Sequence, residues 1–155
     1  MKFDITATVK GESVPFENPA KEFYDALGFE GMKAMMYRFY DCIYESDIAN
    51  FFPQDEEEFA KIKEKNTLFF IEICGGPKVY TEAGGMELNE FMIRVHDDFS
   101  IYEKSRLEWL GCMRETLETT DIEDDLKQNF WKYVEAFSKL TVNSFVKKRK
   151  FESLH

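Results

Sequence analysis

The apolar residues of this chain recur every three or four positions over four long stretches, and this spacing constrains the fold more than any other feature. Residues spaced in this way share one face of an α-helix, so each stretch predicts an amphipathic helix with one buried side. No alternating strand pattern follows residue 25, so the chain is predicted to be all-α. The four apolar stripes are Met32, Met35, Met36, Phe39, Tyr40 and Ile43; Phe59, Ile62, Asn66, Phe69, Phe70 and Ile73; Leu107, Leu110, Met113 and Leu117, with Trp109 on their flank; and Leu126, Phe130, Val134, Phe137, Leu140 and Phe145.

Helix-breaking sequences separate the stripes. They are "FFPQD" at 51–55, "CGGP" at 74–77 and "EAGG" at 82–85. Proline and glycine at these places end helices and form turns. A shorter helical segment is predicted from Met86 to Val95, just before His96.

The first 22 residues have a different pattern. "FDITATVKG" alternates apolar and polar residues as a strand does, but a single strand has no second strand to pair with. We therefore expect an extended arm or short strand at 1–22 and one helical domain at 23–155. A chain of 155 residues is long enough to bury a substantial core.

The net charge of −10 argues against several partners. Such a chain repels nucleic-acid phosphates and anionic lipid, so we expect neither nucleic-acid nor membrane binding. The basic run "KKRK" at 147–150 is too short to reverse this charge. No apolar stretch is long enough for a transmembrane helix or a signal peptide, so we expect a cytoplasmic protein.

Three cysteines, Cys42, Cys74 and Cys112, are widely spaced and form no CxxC or zinc-type cluster. We expect a reducing compartment in which all three thiols serve as small core residues.

Three polar side chains occur on or beside the apolar stripes. A buried Asn66 without a partner would cost about 1–3 kcal/mol, so something must satisfy it. One interpretation is a hydrogen bond between helices, from Tyr40 to Asn66. The other is that both side chains, with the indole N–H of Trp109, face a pocket and bind a polar ligand atom. The 16 phenylalanines fit either an ordinary core or a cavity for a large flat ligand.

These residues occur in an order that resembles the truncated haemoglobins, and among them the second group. The motifs are "RFYDCI" at 38–43, "FFP" at 51–53, "FFIEICGGPKVY" at 69–80 and "HDDFSIYEKSRLEWLGCM" at 96–113. Together they cover about residues 23 to 146. The resemblance implies a globin-like two-over-two helical sandwich with an N-terminal extension.

The resemblance also implies a haem b cofactor. His96, the only histidine besides the C-terminal His155, matches the proximal ligand of the haem iron. Tyr40 and Trp109 match residues whose O–H and N–H donate to the bound ligand. Asn66 departs from the second group, which more often has an apolar residue there, and it makes the distal side more polar. The further haem contacts implied are Phe52, Ile62 at the distal gate, Lys65 near the propionates, Phe69, Phe70, Met92, Phe99 and Ile101.

Three functions are compatible with these features. The first is reversible binding of dioxygen and other diatomic ligands, carbon monoxide and nitric oxide among them. The second is a haem-based redox enzyme, a nitric oxide dioxygenase or a peroxidase-like protein, which would need a separate reductase. The third is a helical interaction module without a cofactor, in which His96 has no special role.

Overall fold

The computed structural model describes residues 2–85, 88–89 and 100–145, and the regular elements in these ranges are all helical. The predicted all-α class is confirmed. The predicted helix at 86–95 lies mostly outside the described residues. The elements are α1 (Lys21–Tyr44), a short 3-10 helix (Ala49–Phe51), α2 (Glu56–Ile73), α3 (Val79–Glu82), α4 (Glu103–Glu118) and α5 (Asp124–Thr141).

Helix α1 is the central element, because it packs against α2, α4 and α5. All six residues of its predicted stripe are buried, and none is more than 3% exposed. At its N-terminal end the ring of Phe23 stacks on Phe130 of α5, with centroids 4.5 Å apart. Gly28 interrupts the helix with a φ of 71°, a backbone conformation that residues with a Cβ rarely adopt. The apolar spacing in the sequence therefore identified this face correctly.

The third stripe was predicted in the wrong helical phase at its start. Leu107 is 44% exposed, whereas Arg106 is buried on the same face as Leu110 and Met113. Positions 106, 110 and 113 follow the four-then-three spacing of one helix face, so the arginine occupies the place that an apolar residue was expected to fill. Its buried charge is satisfied by the bonds described below.

The fourth stripe also differs from the prediction at its end. Phe145 lies beyond the end of α5 at Thr141 and is 37% exposed. Trp131 and Tyr133, which the predicted stripe omits, are buried instead. Trp131 contacts Phe3 and Tyr133 contacts Phe16, and both phenylalanines belong to the N-terminal segment. This segment therefore covers a further side of α5.

The N-terminal segment is extended, and it lies across α4 and α5. Phe3 is buried with its ring centroid 5.0 Å from that of Trp131, and the Trp131 indole N–H donates to the carbonyl of Asp4 over 2.7 Å. The backbone N–H groups of Thr6 and Thr8 donate to carboxylates of the two helices. The alternating pattern of this segment thus needs no second strand, since side chains accept its backbone hydrogen bonds.

Cysteines 42 and 112 are not the separate core thiols that the sequence suggested. They form a disulfide that joins α1 to α4, with Cα atoms 5.7 Å apart. The expectation failed because their 70-residue separation conceals that the two helices bring them together. Cys74 is a free, fully buried thiol as expected.

A pair of glycines ends α2. Gly75 has a φ of 90°, and the N–H of Gly76 donates to the carbonyl of Ile71 over 3.0 Å. The Gly75 N–H bonds to Glu72, which completes a Schellman motif. A Cβ on Gly76 would lie 2.8 Å from the Ile71 carbonyl oxygen and 2.7 Å from the Tyr24 ring. The predicted breaker at 74–77 is therefore a specific helix cap.

We expect Gly76→Ala to destabilise the protein by about 1–3 kcal/mol, because the new methyl group meets backbone that cannot move freely. Gly111→Ala is the matched control. Its Cβ would meet nothing within 4 Å inside helix α4. There the substitution should stabilise the fold by roughly 0.5–1 kcal/mol. Guanidinium unfolding measures the change in free energy of unfolding for both variants. If Gly76→Ala stabilises the fold as Gly111→Ala is expected to, the close contact at Gly76 is contradicted.

Candidate functional site

A cavity of about 400 Å³ lies among α1, α2, α4, α5 and the turn that follows α1. Its volume is within the range of roughly 300–1,000 Å³ that cofactor and ligand sites occupy. The walls are mainly apolar and aromatic, with a few polar side chains. Nine of the residues predicted from the sequence line it: Tyr40, Phe52, Ile62, Lys65, Asn66, Phe69, Phe70, Ile101 and Trp109.

Tyr40 supplies the most deeply buried polar group of the predicted distal set. It is 3% exposed, and its hydroxyl forms a hydrogen bond with the side chain of Asn66. Burial raises the pKa of Tyr40 and so favours the neutral hydroxyl, although the bond with Asn66 acts in the opposite direction. The two interpretations of Asn66 are therefore compatible, since it bonds with Tyr40 and also lines the cavity.

Trp109 reaches the same cavity from α4. It is half-buried, and its ring meets that of Phe39 edge to face, with centroids 5.1 Å apart. Phe39 in turn contacts the Tyr40 ring at 4.9 Å. One phenylalanine thus packs against both predicted donors and fixes the ring positions on two different helices.

The turn after α1 closes one end of the cavity. Phe52 lies there with its ring centroid 6.3 Å from that of Tyr40 and 5.9 Å from that of Phe59. Asp55 then caps α2 by accepting the Glu58 N–H over 3.0 Å. This cap fixes where α2 begins. The turn residues Ile48, Phe51 and Pro53 also line the cavity, although only Phe52 was predicted as a contact.

Helix α2 forms the longest wall. Ile62, Phe69 and Phe70 present apolar surface to the cavity, and both phenylalanines are buried. Lys65 also lines the cavity but is exposed to solvent. A cation at an open rim and apolar rings within suit a flat molecule with anionic groups at one edge.

Arg106 is the principal lining residue that the sequence analysis missed. All five of its N–H groups are bonded, so none is left for a ligand. The acceptors are Ser138 Oγ at 2.9 Å, the Thr6 carbonyl at 3.0 Å, Glu103 Oε2 at 3.0 Å, and the Glu135 carbonyl and Oε2 at 3.1 and 2.7 Å. Arg106 therefore lines the cavity as a structural residue. Its place in the repeat of Leu110 and Met113 was the signal that could have revealed it.

The arginine has a clear electrostatic effect on Glu103. Burial alone would raise the pKa of this carboxyl, but hydrogen bonds from Thr8 and the charge of Arg106 outweigh it and hold the pKa below its ordinary value. Glu103 therefore stabilises the folded state above its ordinary pKa of 4.5, and that contribution is lost as the pH falls through the lower, folded-state pKa.

Three predicted residues cannot be placed. His96, Met92 and Phe99 lie outside the described residues. Their predicted roles remain predictions.

The comparisons with known proteins give the class to which this fold and cavity belong. Residues 22–143 match the bacterial-like globin family, so the chain belongs to that family. The family implies haem-based binding of diatomic gases such as dioxygen. The predicted truncated-globin fold is thereby confirmed.

Truncated haemoglobins of the second group are among the proteins to which the chain is similar. The chain is 27% identical over 122 residues to the group 2 truncated haemoglobin YjbI of Bacillus subtilis, across 77% of this chain and 87% of that protein. It is also similar to phosphate-bound Hell's gate globin IV, with a TM-score of 0.81 and 26% identity over 93% of this chain and 89% of that chain. The group II truncated haemoglobin of Bacillus anthracis shares the fold, with a TM-score of 0.72 and 20% identity over 88% and 98% of the two chains.

The described part of the cavity fits a haem. Aromatic rings line the interior, polar groups converge from Tyr40, Asn66 and Trp109, and Lys65 lies at the exposed rim where carboxylates would meet solvent. Separately, no helix among the described residues is long and apolar enough to cross a membrane.

We expect Arg106→Met to destabilise the fold by about 3–5 kcal/mol at pH 7, because it leaves partly buried carboxylates without their cation. The difference in free energy of unfolding between the variant and the unsubstituted protein should become smaller as the pH falls below 4.5, where Glu103 begins to be protonated. Lys61→Met, which removes an exposed ion pair with Glu58, is the control and should change stability by less than about 1 kcal/mol. Denaturant unfolding at several pH values measures the stability of both variants. If the loss of stability in Arg106→Met does not depend on pH, the role given to the carboxylates is wrong.

Proposed function

We propose that this chain binds haem b in the described cavity, that His96 would hold its iron, and that Tyr40 and Trp109 would retain dioxygen or another diatomic ligand. The observation that carries the proposal is the convergence of polar side chains from α1, α2 and α4 on one otherwise apolar, aromatic cavity. When bound, haem iron would supply coordination of dioxygen, carbon monoxide or nitric oxide.

The distal residues would act as fixed hydrogen-bond donors. Because its pKa is raised, the Tyr40 hydroxyl keeps its proton at neutral pH and can donate it to a partly negative ligand. The bond with Asn66 lowers the pKa of Tyr40, which indicates that Asn66 donates to the Tyr40 oxygen and leaves the hydroxyl proton for the ligand. A hydrogen bond to a charged acceptor contributes roughly 1.5–3 kcal/mol, so two donors would slow release by roughly a hundredfold or more.

The apolar walls support retention in a second way. Phe52, Phe69 and Phe70 line the space around the donors and offer water no hydrogen-bond partner. Hydrogen bonds are stronger in such surroundings because no water competes for the acceptor and the local dielectric constant is low.

Two ionisable residues of the described lining, Tyr40 and Arg106, favour ligand binding over peroxidase-like chemistry. Tyr40 stays protonated, and Arg106 has no donor left. Neither side chain can therefore exchange a proton near neutral pH, as a general acid and base must. This supports a protein that holds its ligand rather than one that cleaves a peroxide bond.

We expect His96→Ala to lose most of its haem, or to lose the iron–histidine stretch in the resonance Raman spectrum of the ferrous protein. His155→Ala, which changes the other histidine, is the matched control and should bind haem normally. An unchanged five-coordinate ferrous histidine spectrum in His96→Ala would remove the assignment of the proximal ligand.

We expect Tyr40→Phe and Trp109→Phe each to speed dioxygen release and to raise the C–O stretching frequency of the carbon monoxide complex. Each change removes one donor and keeps most of the ring. If both donors bond the same ligand, the effects in the double variant should be non-additive. Flash photolysis and infrared spectroscopy provide the two readouts.

Trp131→Phe is the control for this pair. Its indole N–H already donates to Asp4, away from the cavity, so the variant should lose stability but keep its ligand kinetics. A Trp109→Phe variant that behaves in the same way would show that Trp109 only packs, and would leave Tyr40 and Asn66 as the distal pair.

A further inference from the structure

The disulfide between Cys42 and Cys112 joins the two helices that carry the proposed ligand donors. Tyr40 is two residues before Cys42 on α1, and Trp109 is three residues before Cys112 on α4. Each donor is thus within one helical turn of a bonded cysteine. The bond therefore fixes the separation of α1 and α4 beside the distal side of the cavity.

The disulfide also borders a groove on the outer side of α1 and α4. Cys42 is half-buried, whereas Cys112 is 4% exposed. Both cysteines line this groove together with Glu45, Glu108 and Arg114, among others. A reagent entering from solvent would meet the sulfur of Cys42 first.

The charge around the groove is predominantly negative. Glu45, Glu108 and Glu115 line it, and an oxygen of Glu115 lies 3.6 Å from the Cys42 sulfur. Asp41 lines it too but is paired with Lys63 over 3.0 Å. Among the described lining residues the three glutamates face one cation, Arg114, so the groove repels anions.

We propose that Cys42–Cys112 is a reversible redox site: a dithiol reductant opens it, and opening it loosens α1 against α4 and speeds release of the distal ligand. The effect on release rests on the proposed function, whereas the redox chemistry of the cysteine pair does not.

The reaction is a thiol–disulfide exchange. A thiolate of the reductant attacks the Cys42 sulfur, the S–S bond breaks, and its electron pair leaves on the Cys112 sulfur, which takes up a proton. The second thiol of the reductant then attacks the mixed disulfide and releases Cys42 as a thiolate, which is protonated in turn. The protein gains two electrons and two protons, and the dithiol loses the same number as it becomes a disulfide.

The acidic groove gives this chemistry a charge preference. A cationic thiol should approach faster than an anionic one, and salt should diminish the difference. We expect cysteamine to open the bond several-fold faster than glutathione at low ionic strength, with the ratio falling as salt is added. Equal rates at low salt would overturn the role of the groove.

Counting thiols tests the bond without any need for haem. After air oxidation, denaturation and alkylation, mass spectrometry should find one modified cysteine, Cys74; after dithiothreitol it should find three. Loss of a crosslink that closes a 70-residue loop should also lower the Tm by roughly 10 °C. Three modified cysteines in the air-oxidised protein would overturn the proposal.

Ligand release tests the coupling to the distal residues. Reduced protein should release dioxygen at least about twofold faster than oxidised protein. The Cys42→Ser, Cys112→Ser double variant should release it at the reduced protein's rate, and dithiothreitol should not change that rate. Cys74→Ala is the matched control and should respond to reduction as the unsubstituted protein does. If the double variant does not fold, reduction of the unsubstituted protein decides alone.

The outcomes separate this proposal from the proposed function. A disulfide that forms and opens while the release rate stays constant would overturn the coupling and leave haem binding intact. A chain that takes up no haem would overturn the proposed function, and with it the coupling, while the thiol count and the Tm shift would still decide whether the redox site exists.

Discussion

The buried face of α1 is the constraint on which the rest of the structure depends. The six stripe residues between Met32 and Ile43 are almost fully excluded from water, and α1 packs against α2 and α4. Burial of several large apolar side chains along one helix contributes about 1.5–3 kcal/mol for each, which is why α1 can fix the positions of its neighbours. Tyr40 belongs to this face, so the same packing that forms the core also places a neutral hydroxyl in the cavity.

A second constraint acts on another wall of the cavity. The buried guanidinium of Arg106 joins α4, α5 and the N-terminal segment by bonding Ser138, Glu135 and the Thr6 carbonyl. A buried charge is tolerated only when its hydrogen bonds are satisfied, so the N-terminal segment completes this site rather than lying loosely on the surface. The extension is in this way connected to a wall of the cavity, although it precedes residues 22–143, which match the globin family.

The sequence predicted those features that follow from local periodicity. The stripe of α1 was read correctly, and Tyr40 and Asn66 stood out because polar groups interrupted an apolar repeat. Arg106 was missed because an arginine in that repeat resembles a surface residue, and all its partners except Glu103 are 29 to 100 positions away. The disulfide was not predicted for the same reason. Whether Cys42 and Cys112 meet depends on how α1 crosses α4, and no local sequence pattern encodes that crossing. The role of His96 was inferred from motif order and stays a prediction.

The most direct test of the account is a haem titration of the haem-free protein, followed by Soret absorbance and by quenching of tryptophan fluorescence. Trp109 lines the cavity, so haem bound there should quench its emission. We expect saturation at one haem per chain in both signals, with a ferrous product that binds carbon monoxide. The Trp109→Phe variant should show a smaller quenching amplitude at the same stoichiometry. Haem uptake without saturation at one equivalent, or quenching that is unchanged in Trp109→Phe, would contradict the assignment of this cavity as the haem site.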